Sequence, residues 1–581
     1  MHRDPALLDA LCGAADLRQK GLAAYAEGRL QQARELFEAA RQADPVDADI
    51  LADLAAVVLE SNDAGAAARF AARALALEPA HDAARLTLAL ARAQLGAIDD
   101  AVARLGALLA DEPPLRNRDA GLAALAQAHL VRLGGGAAGP EWRVVDPRAL
   151  GLKHRFDVVA KYLYCRSRLG RLPPWVNVDV RALYAKHIHI RTGGAEPGDE
   201  SRKGSLADFL GQFDALIDDM ARRGFDPAHP IPLSSEDGLP RNGAHRLAAA
   251  LAVGCDVAVI RQDGAGGRWP YEWFRNCGFA AEELNVLLRG WAEIKAEHAG
   301  VVLLWSPVEA AWPQIEARVD DAMPVVAART VDLPRPAFEE LVRDIYSFDW
   351  GPQIGENIAR KIGLLAAHAP RLRVLFTERP AGSPDDLPRA LKSEIRDAWQ
   401  HLSAVDRYTT VHVSESAMEA RHLMAIFASE NNMRWLGLRA ERPTLDANLV
   451  EMARLARDRG VDPLNDCCVV GSSVLDALGL RAADDVDFTL RSTLRFEHFD
   501  GGVTRLGPKV DVVSFNYPRS FSTQAAATDD ELIDDPSLHF RVRGIRFADP
   551  RVVLARKQHQ RRDKDLRDVA LLAQLLAGDS W

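Results

Sequence analysis

Pro45, Pro79 and Pro113 stand 34 residues apart, and Ala33, Ala67 and Ala101 keep the same interval. A period of that length means one small helical unit repeated, each copy burying its apolar face only by stacking on the next. In the first unit Gly21, Ala33, Phe37, Ala40 and Pro45 fall where two antiparallel helices would pack. Small residues admit a close crossing, and proline ends the second helix because it lacks an N–H and clashes with the preceding turn. Ala55 and Ala89 replace Gly21 in the later units. Helix pairs are therefore predicted over residues 1–134, forming a scaffold or docking groove without chemistry of its own.

This pattern resembles tetratricopeptide repeats, and the resemblance implies a protein partner held by the repeats. A chain of 581 residues is several times the size of one folding unit, so further domains follow. Its net charge of −10 argues against duplex nucleic acid as a main partner, because phosphate backbones need a basic surface. The six cysteines show no CxxC or paired spacing, which argues against a disulfide framework or structural zinc. No apolar stretch is long enough to cross a bilayer, and the N-terminus lacks an apolar signal core. These features predict a cytoplasmic protein with no transmembrane segment.

"LGGGAAGPEW" (133–142) reads as a linker. Beyond it the predicted architecture is multidomain: an all-α helical-repeat N-terminus followed by α/β and α+β domains. The boundaries are 1–134, 143–300, 301–445 and 446–581. In the second region "HPIPLSSEDGLPRNGAHRLAAALAVGCDVAVI" gives strand, turn, helix and strand. The helix starts near Gly243, with His245 and Arg246 beside its free N–H groups, an arrangement suited to phosphate. The segment resembles the ParB/sulfiredoxin-like fold over about residues 205–262, which implies Gly243, His245 and Arg246 as phosphate contacts. Ala244 occupies the place of the reactive cysteine of sulfiredoxins, so sulfinic-acid repair is not expected. "KHIHI" places His187 and His189 on one face of a strand, but two histidines without a third ligand do not predict a metal. The third region, 301–445, alternates apolar runs with helical stretches and suggests an α/β unit of open role. Glu378, His412, Ser414 and Glu415 follow its apolar strands, as cleft residues often do.

The last region holds the most specific pattern. "DCCVV" (466–470) reads as a buried strand, Gly471 as a tight turn, and Ser472 or Ser473 as the cap of a short helix. Asp485 and Asp487 alternate with Val486 and Phe488, so both carboxylates share one strand face. Asp511 stands in a second apolar strand, "PKVDVVSF". Three convergent carboxylates suit Mg²⁺, one or two ions, with substrate phosphates completing the shell. The set resembles the DNA polymerase β-like nucleotidyltransferase superfamily: apolar-Gly-Ser, a spacer, Asp-apolar-Asp-apolar, then a later aspartate. The resemblance spans about 464–576 and implies Asp485, Asp487 and Asp511 as catalytic metal ligands, with Gly471 and Ser472 holding phosphates. Lys557, Arg561 and Lys564, at i, i+4 and i+7, would share one helix face and meet nucleotide phosphates.

The leading expectation is a Mg-dependent nucleotidyl- or phosphoryl-transferring enzyme. A nucleoside triphosphate would be its substrate, and a sugar, glycan or protein its acceptor. The C-terminal region looks similar to proteins of bacterial surface-polysaccharide synthesis, a resemblance that implies a sugar or glycan acceptor. Three alternatives stay open. The ParB-like domain could be a nucleotide-dependent kinase or hydrolase with a regulatory nucleotidyltransferase-like end. The chain could be a non-catalytic nucleotide-sensing scaffold, or a glycosyltransferase using the third region.

Overall fold

Asp47 and Asp63 each sit one residue before an alanine-rich run and accept the backbone N–H three residues on, from Ile50 at 3.0 Å and Ala66 at 2.9 Å. They open the helices Ala48–Glu60 and Ala64–Leu77, satisfying donors that the helix itself leaves unpaired. The structure, a computed structural model, describes residues 5–111, 115, 119–133, 142–196, 203–227, 229–350, 355–402, 406–494, 503–513, 527–560 and 562–578. Contacts divide the chain into two compact units, Met1–Gly151 with Ala195–Arg268, and Leu152–Gly194 with Trp269–Trp581.

The first unit begins with the helices Pro5–Ala26, Leu30–Ala43, Ala48–Glu60, Ala64–Leu77, Asp82–Gln94, Ile98–Leu109 and Ala120–Arg132. Ala33, Ala67 and Ala101 are fully buried, as are Ala55 and Ala89. A Cβ on Gly21 would lie 2.6 Å from the Phe37 ring, so the first crossing needs glycine there. Pro45 and Pro79 each follow a helix end by two residues; Pro113 lies outside the described residues. The unit continues with a three-stranded sheet made of β1 (Trp142–Val145), β2 (Ile231–Ser234) and β3 (Val257–Gln262), in the order β1-β3-β2. β2 runs parallel to β3, with the helix Ala244–Val253 between them in sequence.

The domain expected over 143–300 is divided between the units. Its sheet and the helices Leu206–Arg223 and Ala244–Val253 stay in the first, whereas Phe156–Arg168, Val180–Thr192 and Ala281–Lys295 belong to the second. There they bury side chains against one another: Tyr164 stacks on Tyr184 at 5.0 Å, and Tyr162 donates to Glu293 at 2.9 Å. The "KHIHI" segment is helical, which corrects the strand expectation. Asp179 accepts the N–H groups of Arg181 and Ala182, and Gly193, at φ +66°, closes the helix. Two positions apart on a helix, His187 and His189 point about 200° apart. His187 is buried against Phe274 and Trp273, and burial with nearby Lys161 keeps its imidazole neutral.

The second unit carries two sheets. The first comprises β4 (Ala299–Trp305), β5 (Val325–Asp332), β6 (Arg371–Glu378) and β7 (Val411–Val413), in the order β5-β6-β4-β7. Strands and helices alternate as expected, but every neighbouring pair is antiparallel. The helix Trp312–Ala322 returns the chain parallel to β4 one slot away, and β6 enters between them. The result is the split β-α-β order of ferredoxin-like sheets, with extra helices between β5 and β6. Val302, Leu304, Trp312, Ile315, Leu391 and Ile395 fill the core beneath the helices Trp312–Ala322 and Leu387–Trp399. The second sheet has six strands: β8 (Cys467–Val470), β9 (Val486–Leu490), β10 (Val503–Gly507), β11 (Val510–Val513), β12 (His539–Val542) and β13 (Ile545–Ala548). Their order is β10-β11-β9-β8-β13-β12. Val469, Phe488, Val512 and Phe547 anchor its core. Among the described residues no helix is long and apolar enough to cross a membrane.

Candidate metal centre

β9 and β11 lie side by side and parallel, with Asp511 in register with Asp487. That pairing brings the sequence-distant aspartates together. One carboxylate oxygen from each of Asp485, Asp487 and Asp511 lies within 4.8 Å of the other two. Asp485 and Asp487 are half-buried and Asp511 is buried, while Asp484 is exposed. The donor set is oxygen only, as Mg²⁺ prefers, and three carboxylates fall short of the octahedral shell that ion takes.

β8 runs antiparallel to β9 with Val470 opposite Asp487, so the turn that follows abuts the same carboxylate. Gly471 has φ +71°, and a Cβ there would lie 2.9 Å from Asp487 Oδ2. Only glycine meets both conditions. The helix Ser472–Ala477 is capped by neither serine side chain, contrary to expectation. Ser473 is buried, and its hydroxyl donates to the Asp485 carbonyl at 2.8 Å, tying the turn to the start of β9. Ser472 stays partly exposed beside the turn.

Two arginines that sequence reasoning missed flank the carboxylates. Arg505 on β10 is in register with Asp511 and approaches it at 3.1 and 3.4 Å. Asp511, with Asp485 adding to it, holds the guanidinium more firmly charged. Arg556 lies on the helix Pro550–Gln560. Burial pushes its pKa down, and Asp487 is the strongest charge opposing that, with Asp529 contributing. The hairpin alternation of "VTRLG" with "VDVV" could have revealed Arg505. The helix face that selects Arg556 over its neighbour has no local signal.

Lys557 and Lys564 do not share the one continuous helix expected of them: the first helix ends at Gln560 and a new one begins at Asp563. Lys557 is buried between Asp565 at 2.9 Å and Asp568 at 2.8 Å, and Asp568 also receives Arg481 at 2.5 Å. Lys557 thus joins the two C-terminal helices. Arg561 and the Lys564 side chain lie outside the described residues.

In the first unit Gly243 has φ +81° and begins the helix Ala244–Val253. His245 packs edge-on against Phe213 at 4.6 Å. Arg246 folds back to donate to the carbonyls of His229 and of Pro230, the latter at 3.1 Å. Its guanidinium thereby staples the turn leading into β2. Arg246→Ala is expected to cost about 1.5 kcal/mol or more of stability, the range for hydrogen bonds from a charged group, and to leave nucleotide turnover unchanged. Urea denaturation and a turnover assay check both parts. Loss of turnover with the fold intact would return the phosphate role to Arg246.

No protein-family model matches the chain, and no curated protein matches it. Solved structures match over about a fifth of the chain. An Arabidopsis OM64 TPR domain is 21% identical over 21% of this chain and 98% of that one, with a TM-score of 0.19. The first TPR of Spaghetti (RPAP3), bound to the HSP90 peptide SRMEEVD, is 20% identical over 21% of this chain and 93% of that one, with a TM-score of 0.19.

Proposed function

We propose that the six-stranded domain is the centre of a Mg-dependent nucleotidyl- or phosphoryl-transferring enzyme. The observation that carries this reading is the convergence of Asp485, just before β9, with Asp487 on β9 and Asp511 on β11, within 4.8 Å. Three carboxylates so close repel one another unless cations meet them. Arg505 offsets part of that charge at Asp511. Asp485 and Asp487 would hold the metal, with Asp511 completing the set. Bound there, the metal would supply Lewis-acid stabilisation of the charge on a transferring phosphoryl group.

The protein's own groups do the rest. Gly471 and Ser472 would offer the turn beside Asp487 to phosphate oxygens, and Arg556 opposes the negative charge from the helix side. Asp511 orients an acceptor hydroxyl and takes its proton. The strand order and the residues Val470-Gly471-Ser472, Asp485-Val486-Asp487-Phe488 and Asp511 support the nucleotidyltransferase-superfamily reading. The N-terminal helix pairs would recruit a protein, either the acceptor or a partner that delivers a sugar or glycan acceptor. The rival placing chemistry at Gly243, His245 and Arg246 is less favoured, because Arg246 already serves two backbone carbonyls.

The test is mass spectrometry of products after incubating the full chain with each nucleoside triphosphate, Mg²⁺ and candidate acceptors. Transfer of a nucleotidyl or phosphoryl group that stops when EDTA is added is the expected result. Metal-independent turnover, or nucleotide binding with no product across the acceptor panel, would overturn it.

A further inference from the structure

β12 and β13 form an antiparallel pair in which Arg541 faces Arg546 and Phe540 faces Phe547. The two phenylalanine rings meet at 5.7 Å on the core face, so the two arginines share the opposite face. His539, two residues before Arg541, lies on that face too. Like charges directly opposite each other on a sheet destabilise it, and here the pair is also largely withdrawn from water. A third cation, Arg289 from the helix Ala281–Lys295, lines the same cavity of about 430 Å³.

Among the described residues each guanidinium has a single backbone anchor. Arg289 donates to the Ala428 carbonyl at 2.8 Å, Arg541 to Gly544 at 2.7 Å and Arg546 to Leu464 at 2.5 Å. Among the described residues no carboxylate comes within ion-pair distance of any of them. The acids lining the cavity are otherwise engaged: Asp534 binds Arg491 at 2.9 Å, and Glu293 binds Arg166 at 3.1 Å. Arg541 is 8% exposed, and its Nε, like that of Arg546, has no hydrogen-bond partner among the described residues. Burial pushes all three pKa values down, Arg289 to about 10; Arg546 adds repulsion at Arg289, Arg546 and Arg289 add it at Arg541, and Arg491 adds it at Arg546. Buried cations concentrated in this way are costly unless an anion joins them. Trp175, Met424 and Ile533 form an apolar wall to the same cavity.

We propose that this cavity binds a small organic phosphate, its phosphate held by Arg289, Arg541 and Arg546 and its apolar part lying against Trp175, Met424 and Ile533. Phosphate fits better than carboxylate because three guanidiniums line one cavity, and phosphate offers more charge and more acceptor oxygens to planar, fork-shaped donors. The site is separate from the aspartates. Those lie at the start of β9 and on β11, whereas β13 and β12 occupy the other edge of the sheet.

The test uses the full chain in EDTA at constant ionic strength, with pyrophosphate, AMP and acetate as probes and thermal unfolding as the readout. Pyrophosphate and AMP are expected to raise the midpoint saturably by about 3 °C or more, as ligands of the native state do; acetate should not. Arg541→Gln and Arg546→Gln should abolish the rise. Without a probe they should unfold no earlier than the unsubstituted protein, because each removes a repelling charge; circular dichroism checks their fold. Arg541→Lys, which keeps the charge but loses the fork, should retain only part of the rise. An equal response to acetate, or an unchanged response in the glutamine variants, would overturn the site. A response to pyrophosphate but not AMP would overturn the apolar half of the assignment.

Discussion

Asp487→Asn is expected to lower nucleotide turnover by about 100-fold or more. Changing a residue that merely orients a metal ligand commonly costs 10- to 100-fold, and Asp487 is proposed as a ligand itself. It sits where three constraints meet: in register with Asp511 across the parallel pair, opposite Val470 across the antiparallel pair, and against Gly471. The substitution has a second readout that activity alone does not give. With metal chelated, the wild-type carboxylates repel one another, so the asparagine variant should melt at a higher temperature. Adding Mg²⁺ should raise the wild-type midpoint and leave the variant's nearly unchanged. A purely structural Asp487 would give the opposite order in EDTA. Initial rates and melting curves with and without Mg²⁺ decide the matter, and intact turnover in the variant would sink the proposed centre.

What the sequence made legible is what local pattern encodes. The alternation in "DVDFTL" and "VDVV" placed Asp487 and Asp511 on strands, with Asp485 one residue ahead of β9 rather than on it, and the neighbouring apolar residues required those strands to be buried, so convergence followed once the strands paired. The 34-residue period was similarly readable because each repeat is a local unit. Patterns tied to distant partners were not readable. "KHIHI" alternates as a strand does, but the Asp179 cap and the Gly193 stop make it a helix. Lys557 keeps phosphate-binding spacing in sequence, yet its charge is taken by Asp565 and Asp568 once the helix breaks at Gln560. The β5-β6-β4-β7 order was equally hidden, because an apolar run shows that a strand is buried and not which strand lies beside it. The arginine cavity depends on the β12–β13 register and on a helix some 250 residues earlier in sequence, and no single segment carries it.

Asp344→Ala should cost about 3–5 kcal/mol, the usual penalty for removing one partner of a buried ion pair. Asp344 and Glu340 lie one turn apart on the helix Arg335–Trp350, and both are buried. Asp344 receives Arg439 at 2.5 and 3.1 Å and the Arg543 backbone N–H at 2.7 Å. Glu340 receives Arg543 at 2.7 Å, and Arg543 reaches on to Asp446 at 2.8 Å. The cluster therefore links the helix beside the four-stranded sheet to the β12–β13 turn of the six-stranded one. Alanine at 344 would leave buried Arg439 with only its longer ion pair to Glu340, at 3.3 Å, so Asp344→Ala with Arg439→Met should recover part of the loss. Urea denaturation of the two single variants and the double variant measures that coupling; simple additivity would show that the pair is not what holds this joint. Acid should act on the same cluster. Burial pushes the Glu340 carboxyl up, but Arg439, Arg543 and Arg343 outweigh it and hold the group below its ordinary value. A depressed carboxyl contributes its stability above the unfolded-state value of about 4.3, and that stability fades as pH falls through the folded-state value. Glu340→Gln should accordingly flatten the fall in stability below about pH 4 while lowering stability at neutral pH.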